Sequence, residues 1–389
     1  MRAVAEKLHL SEIAPGMVQS EIRAMTMECD SVGGVNLAQG VCDTEVPAPV
    51  AQCAIEAIAA GHNIYTRLDG IASLRQAIAK KLERHNGISV EAEGEVLVTS
   101  GATAGFYAAC MALFNPGDEV VLFEPFYGYH LNTLRALRVN AAVVPLTAPD
   151  WRLDVEALRA AITRRTRGIV INSPSNPCGK VFSRTELEAV AELAVEHDLF
   201  VITDEIYEYF VFDGTQHISP ATLPGMAERT ISISGLSKTF SITGWRVGYL
   251  AADRRWMGAI SYFHDLIYVC APSPFQHGAA AGLMQLGDEF YAGLATEYQG
   301  KRDMLCTALA EAGMTPAIPQ GAYYVLADAT NLPGETAREK ARNLLRDAGV
   351  AAVAGTAFFA DGHGENLLRF CFAKRDEDLQ RACTLLRGR

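Results

Sequence analysis

Short apolar runs alternate with amphipathic segments from about residue 90 onward. EVLVTS at 95–100 predicts a strand, ATAGFYAACMALF a helix, NPGD at 115–118 a turn, and EVVLFEP the next strand. The series continues with AAVVPL, RGIVINSP, LFVITDE, TISISG and VGYLAA. Between these runs lie helical segments such as SRTELEAVAELAVEH, where Ser183 and Glu186 have the spacing of a capping box.

The predicted strands are apolar throughout rather than alternating, and helices join them. This pattern is typical of a mostly parallel sheet that helices bury on both faces. We therefore expect an α/β fold with a large domain over residues 46–285. Residues 286–389, where GAYYVLAD, GVAAVAG and LLRFCFA interrupt helical stretches, predict a smaller α+β domain, and residues 1–45 are expected to pack against it.

Composition and charge narrow the function classes. The chain has 389 residues, 49% hydrophobic and 20% charged, which is ordinary for a globular enzyme. A net charge of −11 without long basic runs argues against nucleic acid and anionic membranes as partners. No run approaches the roughly 18 to 20 apolar residues of a membrane span, and charges within the first 15 residues argue against a signal peptide, so a cytoplasmic protein is expected.

The nine cysteines occur singly, with no C-x-x-C pair. This spacing matches neither a zinc site nor a disulfide framework. We therefore expect reduced thiols and no metal.

Small, polar or aromatic residues directly follow each predicted strand. Ligands of such sheets bind beyond the carboxyl ends of the strands, so these residues are the candidates for a site. They are SGAT at 100–103, FYGY at 126–129, SNPCG at 175–179, Asp204 with Tyr207, and Lys238. Each also has a structural explanation, because small residues begin helices, aromatic residues fill cores and asparagine stabilises turns. Their common position at one edge of one sheet favours a binding site.

Some of these residues need a partner that the nearby sequence does not supply. Asp204 follows an apolar strand and has no lysine or arginine in its own segment, although a buried carboxylate must be paired. Lys238 and Arg246 lie in SGLSKTFSITGWRVGYL, which contains no acid. Gly101, at a predicted helix start, would let an oxyanion approach free backbone N–H groups. The spacing is neither G-x-G-x-x-G nor a P-loop, so no dinucleotide or nucleoside triphosphate is indicated.

The ordered set SNPCG, TDEIY and S-K-x-F-x-x-x-G-W-R-x-G-Y resembles the class I/II aminotransferases, pyridoxal phosphate enzymes of the aspartate aminotransferase fold, fold type I. The resemblance extends over nearly the whole chain, from LAQGVCD through NIYTRLDGIASLRQAIA to LLRFCFA. It implies a homodimer with its sites at the subunit interface. It also implies a ping-pong reaction that moves the amino group of an L-amino acid to a 2-oxo acid.

The resemblance also implies a role for each candidate at the cofactor. Lys238 would hold pyridoxal phosphate as a Schiff base and transfer protons, which requires an amine of lowered pKa. Asp204 would pair with the pyridine nitrogen, while Tyr207 and Asn176 would hydrogen-bond the phenolic oxygen of the ring. The remaining implied contacts are Tyr127 stacked on the ring, Gly101, Ala102, Thr103, Arg246 and either Ser237 or Ser234 at the phosphate, and Tyr65 reaching the phosphate of the neighbouring subunit.

The same resemblance bears on the substrate. Arg369 would bind the α-carboxylate, with Gly40 and Asn176 beside it, and a structural salt bridge is the alternative for Arg369. Cys178 replaces the threonine that is common in the family, a change expected to be tolerated. Ala102 stands where some aspartate-using members place a lysine, which argues against a dicarboxylate substrate. Together with the aromatic residues of EPFYGYH, this favours a neutral or aromatic amino acid.

Two other functions remain open at this point. A carbon–sulfur β-lyase would use the same cofactor and residues, because both reactions begin with the same carbanion. A non-catalytic, ligand-binding regulator on this fold is an alternative of a different class. The sequence has neither an added helix-turn-helix domain nor a basic patch in its favour.

Overall fold

The computed structural model describes residues 9–17, 21–360 and 362–388. Its α-helices are α1 Glu21–Val32, α2 Ala48–Ala59, α3 Ala72–Lys81, α4 Ala102–Leu113, α5 Gly128–Ala136, α6 Val155–Ala161, α7 Arg184–Glu196, α8 Arg254–Tyr268, α9 Ser273–Gln285, α10 Asp288–Glu311, α11 Ala337–Ala348 and α12 Asp376–Arg387. Shorter helical turns are Ala14–Gly16, Leu82–Asn86, Pro220–Thr222, Thr243–Trp245 and Gly355–Phe358.

The strands form one large sheet and two small ones. They are β1 Val35–Asn36, β2 Val96–Thr99, β3 Glu119–Glu124, β4 Asn140–Pro145, β5 Thr166–Asn172, β6 Phe200–Asp204, β7 Thr230–Gly235, β8 Gly248–Ala251, β9 Thr315–Pro316, β10 Tyr324–Asp328, β11 Val350–Ala351, β12 Val353–Ala354 and β13 Leu367–Cys371. The seven-stranded sheet has the order β2-β8-β7-β6-β5-β3-β4. Only β8 in it runs antiparallel to its neighbours. The predicted α/β fold with a mostly parallel sheet is confirmed.

Helices cover both faces of the large sheet, which explains why its strands are mostly apolar. Val170 of β5 packs into a cluster with Phe106 of α4 and Ile260 of α8. Its neighbour Ile169 faces the opposite way, into a cluster with Leu187 of α7. Alternate side chains of one strand thus enter two different cores, which favours apolar residues at successive positions.

The second sheet brings the two ends of the chain together. It has the antiparallel order β12-β13-β10-β9, while β1 pairs in parallel with β11. Met25 and Cys29 of α1 share a hydrophobic core with Leu344 of α11 and Phe370 of β13. The division at residues 46–285 and 286–389 stays a prediction, which these separate sheets support. Of the predicted amino-terminal segment 1–45, residues 1–8 and 18–20 lie outside the described residues.

Local signals in the sequence place the helix starts and the sheet edge. Ser183 Oγ accepts a hydrogen bond from the Glu186 amide at 3.3 Å, and Glu186 Oε2 accepts one from the Ser183 amide at 2.9 Å, so the capping box is confirmed. The parallel strands β5, β6 and β7 end at the same edge of the sheet.

No helix in the described ranges combines the length and apolar character needed to cross a membrane. All nine cysteines are free.

Candidate functional site

A cleft of about 620 Å³ opens at the carboxyl edge of the large sheet. Residues of α1, the segment before α2, β10 and β13 close it from the other side. The predicted residues that line it are Gly40, Ala102, Thr103, Tyr127, Asn176, Asp204, Tyr207, Ser237, Lys238, Arg246 and Arg369. The structure therefore brings most of the sequence candidates into one cavity.

Lys238 lies in the turn after β7 and projects into this cleft. Its Nζ donates a hydrogen bond to the Gly40 carbonyl at 3.1 Å. Burial lowers the pKa of the Lys238 amine from its ordinary value, and the charge of Arg246 lowers it as well. The opposing effects of Cys42, Cys371 and Asp204, which raise this pKa, are outweighed. Such an amine gives up its proton more easily than a solvated lysine.

Asp204 ends β6 and is 8% exposed. Its Oδ2 lies 3.1 Å from His130 Nε2, and the Ile206 amide donates to Oδ1 at 3.4 Å. No lysine or arginine of the described chain lies within ion-pair distance of this carboxylate. His130, on α5, is a residue that the sequence analysis missed, because a histidine on a buried helix face carries no local signal of its partner.

Arg369 of β13 is 1% exposed and has no acidic partner among the described residues. Its Nη1 donates to Asn176 Oδ1 at 2.9 Å and its Nη2 to the Ala38 carbonyl at 2.6 Å. Its Cζ lies 4.4 Å from the ring centre of Tyr324 and 4.7 Å from that of Phe358. Its Nε is buried without a hydrogen-bond partner in the described structure. Arg369 thus forms no structural salt bridge with the residues that the structure describes.

The loop between β2 and α4 lies under the side chain of Arg246. Gly101 has φ +83°, and a Cβ added there would lie 2.8 Å from Arg246 Cζ. The Ser100 amide donates to His264 Nε2 at 3.1 Å, and burial lowers the pKa of His264 to about 4, which keeps this acceptor neutral. Glycine at 101 therefore leaves the amino end of α4 open beside a guanidinium group.

The two candidate serines lie in different surroundings. Ser237 is buried and lines the cleft next to Lys238. Ser234 lies outside the cleft lining, and its Oγ donates to Glu208 Oε1 at 2.7 Å. Of the two, only Ser237 is placed to contact a molecule in the cleft.

Tyr65 is not part of the cleft of its own chain. Its side chain is 78% exposed, in the segment between α2 and α3. The expected contact of Tyr65 with the phosphate of a neighbouring subunit therefore stays a prediction.

Tyr324 is a second residue that the sequence analysis missed. Its hydroxyl lies 3.2 Å from that of Tyr207, and burial is the main cause that raises the pKa of both phenols. A Cβ added to Gly40 would lie 2.7 Å from Tyr324 Cζ, so glycine is required for this close approach. The sequence showed an aromatic pair in a strand, a pattern that usually indicates only core packing.

A buried polar network follows directly after Asp204 in the sequence. Glu205, Glu208 and His217 each place a ligand atom within 4.8 Å of the others, as metal ligands do. Their oxygens, however, already accept hydrogen bonds from protein groups. The donors are Lys81, Asn86, Ser219, Thr203 and the ring of His217. Protein groups therefore satisfy the two carboxylates, whereas Nδ1 of His217 is buried without a hydrogen-bond partner among the described residues.

Comparison with known proteins identifies the family. Residues 32–386 match the family model described as aminotransferase class I and II. The probable N-succinyldiaminopimelate aminotransferase of Mycobacterium tuberculosis is 40% identical to this chain, over 90% of this chain and 91% of its own. The solved structure of N-succinyldiaminopimelate aminotransferase from the same organism has a TM-score of 0.94, at 37% identity, and covers 98% of this chain and 100% of its own. The kynurenine–oxoglutarate transaminase of Dictyostelium discoideum is 35% identical over 90% of this chain and 89% of its own.

A solved structure from Escherichia coli, reported with a methionine aminotransferase function, also has a TM-score of 0.94, at 31% identity over 98% of this chain and 100% of its own. The family model and these relatives cover the large sheet, the second sheet and the cleft between them. The chain belongs to the class I and II aminotransferases and is an enzyme that transfers amino groups.

Proposed function

We propose that the protein is a pyridoxal phosphate-dependent aminotransferase that moves the amino group of an L-amino acid to a 2-oxo acid by a ping-pong mechanism. One observation carries the proposal. Among the described residues, the same cleft holds an amine of lowered pKa, Lys238, a buried acid without a lysine or arginine partner, Asp204, and a buried arginine without an acidic partner, Arg369.

The residues of the cleft fit this cofactor. Asp204 has no lysine or arginine partner in the described chain, and a protonated pyridine nitrogen would give it a positive charge to pair with. The open amino end of α4 at Gly101, Ala102 and Thr103, with Arg246 above it, suits a phosphate. The other groups assigned to the cofactor are the ring of Tyr127, the hydroxyls of Tyr207 and Ser237, and the amide of Asn176. When bound, pyridoxal phosphate supplies an aldehyde that accepts the amine and a ring that draws electrons from the α-carbon.

Lys238 moves the proton in this proposal. Its amine loses charge easily because it is buried, so Nζ can accept a proton from the α-carbon of the substrate and return it. The Gly40 carbonyl, 3.1 Å away, holds Nζ in place before substrate binds. Tyr207 keeps its proton because burial raises its pKa, so its hydroxyl acts as a hydrogen-bond donor.

Arg369 orients the substrate. A guanidinium group binds a carboxylate through two parallel hydrogen bonds, which fixes the direction of the α-carbon. Asn176 and the Ala38 carbonyl hold this group from one side, and the ring of Tyr324 lies against it. The free Nε is an unused donor that a carboxylate can satisfy.

We also infer a homodimer in which Tyr65 contacts the phosphate in the partner's cleft. Ile64 and Tyr65 are 80% and 78% exposed, and Ile55 and Ile58 of the preceding helix α2 are exposed as well. Exposed apolar side chains that recur over a short stretch of chain favour an interface between subunits. The cytoplasmic location stays a prediction of the sequence.

The relatives do not identify the donor amino acid of this protein, because their names specify different substrates. They include N-succinyldiaminopimelate, kynurenine, arginine and methionine aminotransferases. Because the phosphate loop carries Ala102 rather than a lysine, we propose a neutral or aromatic amino acid as the donor. The relatives are named as aminotransferases and do not favour the β-lyase alternative.

The test compares the native protein with Lys238→Ala. Native protein incubated with pyridoxal phosphate should develop an absorbance band near the edge of the visible range, and an amino donor should remove it. Lys238→Ala should never form this band, whereas Lys80→Ala, which changes an exposed lysine of α3, should behave as the native protein does. A panel of twenty amino acids with pyruvate, 2-oxoglutarate and oxaloacetate would then identify the substrates.

Two outcomes would contradict the proposal. A native protein without affinity for pyridoxal phosphate would refute the cofactor. Release of pyruvate and ammonia from a cysteine conjugate, without any 2-oxo acid acceptor and without amino transfer, would show the β-lyase reaction instead.

A further inference from the structure

The loop between β2 and α4, which carries the proposed phosphate contacts, rests on a buried histidine. His264, on α8, is 0% exposed, and its Nε2 accepts a hydrogen bond from the Ser100 amide at 3.1 Å. Its Nδ1 is buried and has no hydrogen-bond partner among the described residues. A polar ring in such a place is unfavourable unless the bond that it does form is needed. The bond to Ser100 therefore accounts for a histidine at this position.

The ring of His264 is a neutral hydrogen-bond acceptor. Nε2 can accept from an amide only when it carries no proton, so the proton of the neutral ring lies on Nδ1. Burial lowers the pKa of His264 to about 4, against the opposing effect of the Asp265 charge. Tyr268, one turn further along α8, stacks on the ring with 5.3 Å between the two ring centres. The ring is thus fixed in charge and held against a second ring.

The hydrogen bonds of the loop leave two backbone donors free. The Ser100 amide donates to the histidine, and the Gly101 amide donates to the Thr99 carbonyl at 2.7 Å. The hydroxyl of Thr99 donates to the Gly101 carbonyl at 2.9 Å, and the third and fourth amides of α4 donate to the same carbonyl. The amides of Ala102 and Thr103 begin the helix and have no intrahelical acceptor. These two amides are therefore available to a ligand.

The Ser100 amide sets the direction of this loop. Ser100, Ala102 and Thr103 line the cleft, whereas His264 is not part of the cleft lining. The bond to His264 therefore turns the Ser100 N–H out of the cleft. The next residue, Gly101, has φ +83° and a freedom of backbone rotation that other residues lack, so the loop needs an anchor outside itself.

We propose that His264 is a positioning residue for the cofactor phosphate, because it fixes the Ser100 amide outside the cleft and leaves the amides of Ala102 and Thr103 to bind the phosphate beside Arg246. This inference rests on the proposed cofactor. His264 acts through the backbone of the loop and does not touch the phosphate. Without an acceptor at this position, the Ser100 amide has to find another partner, and the two free donors lose their fixed direction.

The test compares two substitutions that differ in the acceptor. His264→Phe keeps a flat ring beside Tyr268 but has no acceptor, whereas His264→Gln carries a neutral amide oxygen at a similar distance from the backbone. His264→Phe should bind pyridoxal phosphate about tenfold more weakly than the native protein and pyridoxal within about twofold of it. His264→Gln should recover most of the affinity for pyridoxal phosphate. His197→Phe, at an exposed histidine outside the cleft, should match the native protein for both ligands.

Two measurements on the holoenzyme separate this role from a general loss of stability. In hydrogen–deuterium exchange, a peptide that spans residues 97–106 should exchange faster in His264→Phe than in the native holoenzyme, while a peptide from β7 exchanges as before. The phosphorus NMR resonance of the bound cofactor should shift in His264→Phe and lie near its native position in His264→Gln and His197→Phe.

Three results would overturn the role of His264 and leave the aminotransferase function intact. Equal weakening of pyridoxal phosphate and pyridoxal in His264→Phe would show a general loss of structure. Unchanged affinity for both would show that the loop keeps its direction without the histidine. A His264→Gln variant as weak as His264→Phe would show that the ring does not act as a neutral acceptor. If the native protein itself has no affinity for pyridoxal phosphate, the proposed function fails and this inference fails with it.

Discussion

Replacing Gly101 by alanine tests how the cleft holds a phosphate. The residue has φ +83° and ψ 160°, a region almost exclusive to glycine, which costs a residue with a Cβ about 1–3 kcal/mol. The new Cβ would also lie 2.8 Å from Arg246 Cζ, closer than van der Waals contact allows. Because the guanidinium group ends a flexible side chain, it can move away, so the fold should survive while the phosphate contact is lost.

The chain provides a matched control at Gly117, which has φ +93° and no atom within 4 Å of an added Cβ. Gly117→Ala therefore also places a Cβ on a residue of positive φ but displaces nothing. The difference between the two variants isolates the displacement of Arg246. Hydrogen bonds to charged groups contribute about 1.5–3 kcal/mol. We use the lower end of this range because Arg246 is exposed. A loss of about 1.5 kcal/mol corresponds to an affinity for the phosphate ligand that is about tenfold weaker.

The assay measures two dissociation constants and one unfolding curve for each variant. Both variants should lose about 1–3 kcal/mol in the free energy of unfolding by urea. Only Gly101→Ala should bind pyridoxal phosphate about tenfold more weakly, and its affinity for pyridoxal, which has no phosphate, should match that of Gly117→Ala. If Gly101→Ala weakens both ligands equally, or neither, then Arg246 is not the phosphate-binding group.

Two further substitutions test residues that the sequence analysis did not identify. Tyr324→Phe keeps the ring against Arg369 but removes the hydrogen bond to Tyr207, so kcat should fall about fivefold, equivalent to roughly 1 kcal/mol, with KM unchanged. Lys81→Met leaves the buried carboxylate of Glu208 without its cation, which should lower the free energy of unfolding by about 3–5 kcal/mol at neutral pH.

The second of these changes should depend on pH. Burial raises the pKa of Glu208, but the charges of Lys81, His85 and His217 outweigh it and lower the pKa from 4.5 to about 2. A lowered carboxyl pKa stabilises the fold above pH 4.5, and this stabilisation is lost as the pH falls toward 2. The gap between Lys81→Met and the native protein should therefore shrink in acid.

Controls for these two substitutions lie next to them in the sequence. Tyr323→Phe removes a neighbouring hydroxyl that does not reach Tyr207, and Lys80→Met removes an exposed lysine. Raised KM with constant kcat in Tyr324→Phe would contradict its role in positioning Tyr207. An unfolding free energy of Lys81→Met equal to that of Lys80→Met would show that Glu208 finds another partner.

The sequence by itself determined the elements and the edge of the sheet at which ligands bind. Strand and helix periodicities extend over a few residues, and each predicted strand from EVLVTS to VGYLAA forms a strand of the large sheet. Parallel strands that end in polar residues place those residues at one edge, which explains why the sequence suffices to group Asp204, Asn176 and Lys238. The family resemblance added Arg369, whose own segment gives no such indication.

Only the tertiary structure decided which distant groups meet. Arg369 contacts Asn176 across 193 residues of chain, and His130 contacts Asp204 across 74. Tyr324 reaches Tyr207 across 117 residues, and Ser234 proved to be committed to Glu208. Such contacts depend on the path of the whole backbone, and no local periodicity encodes them.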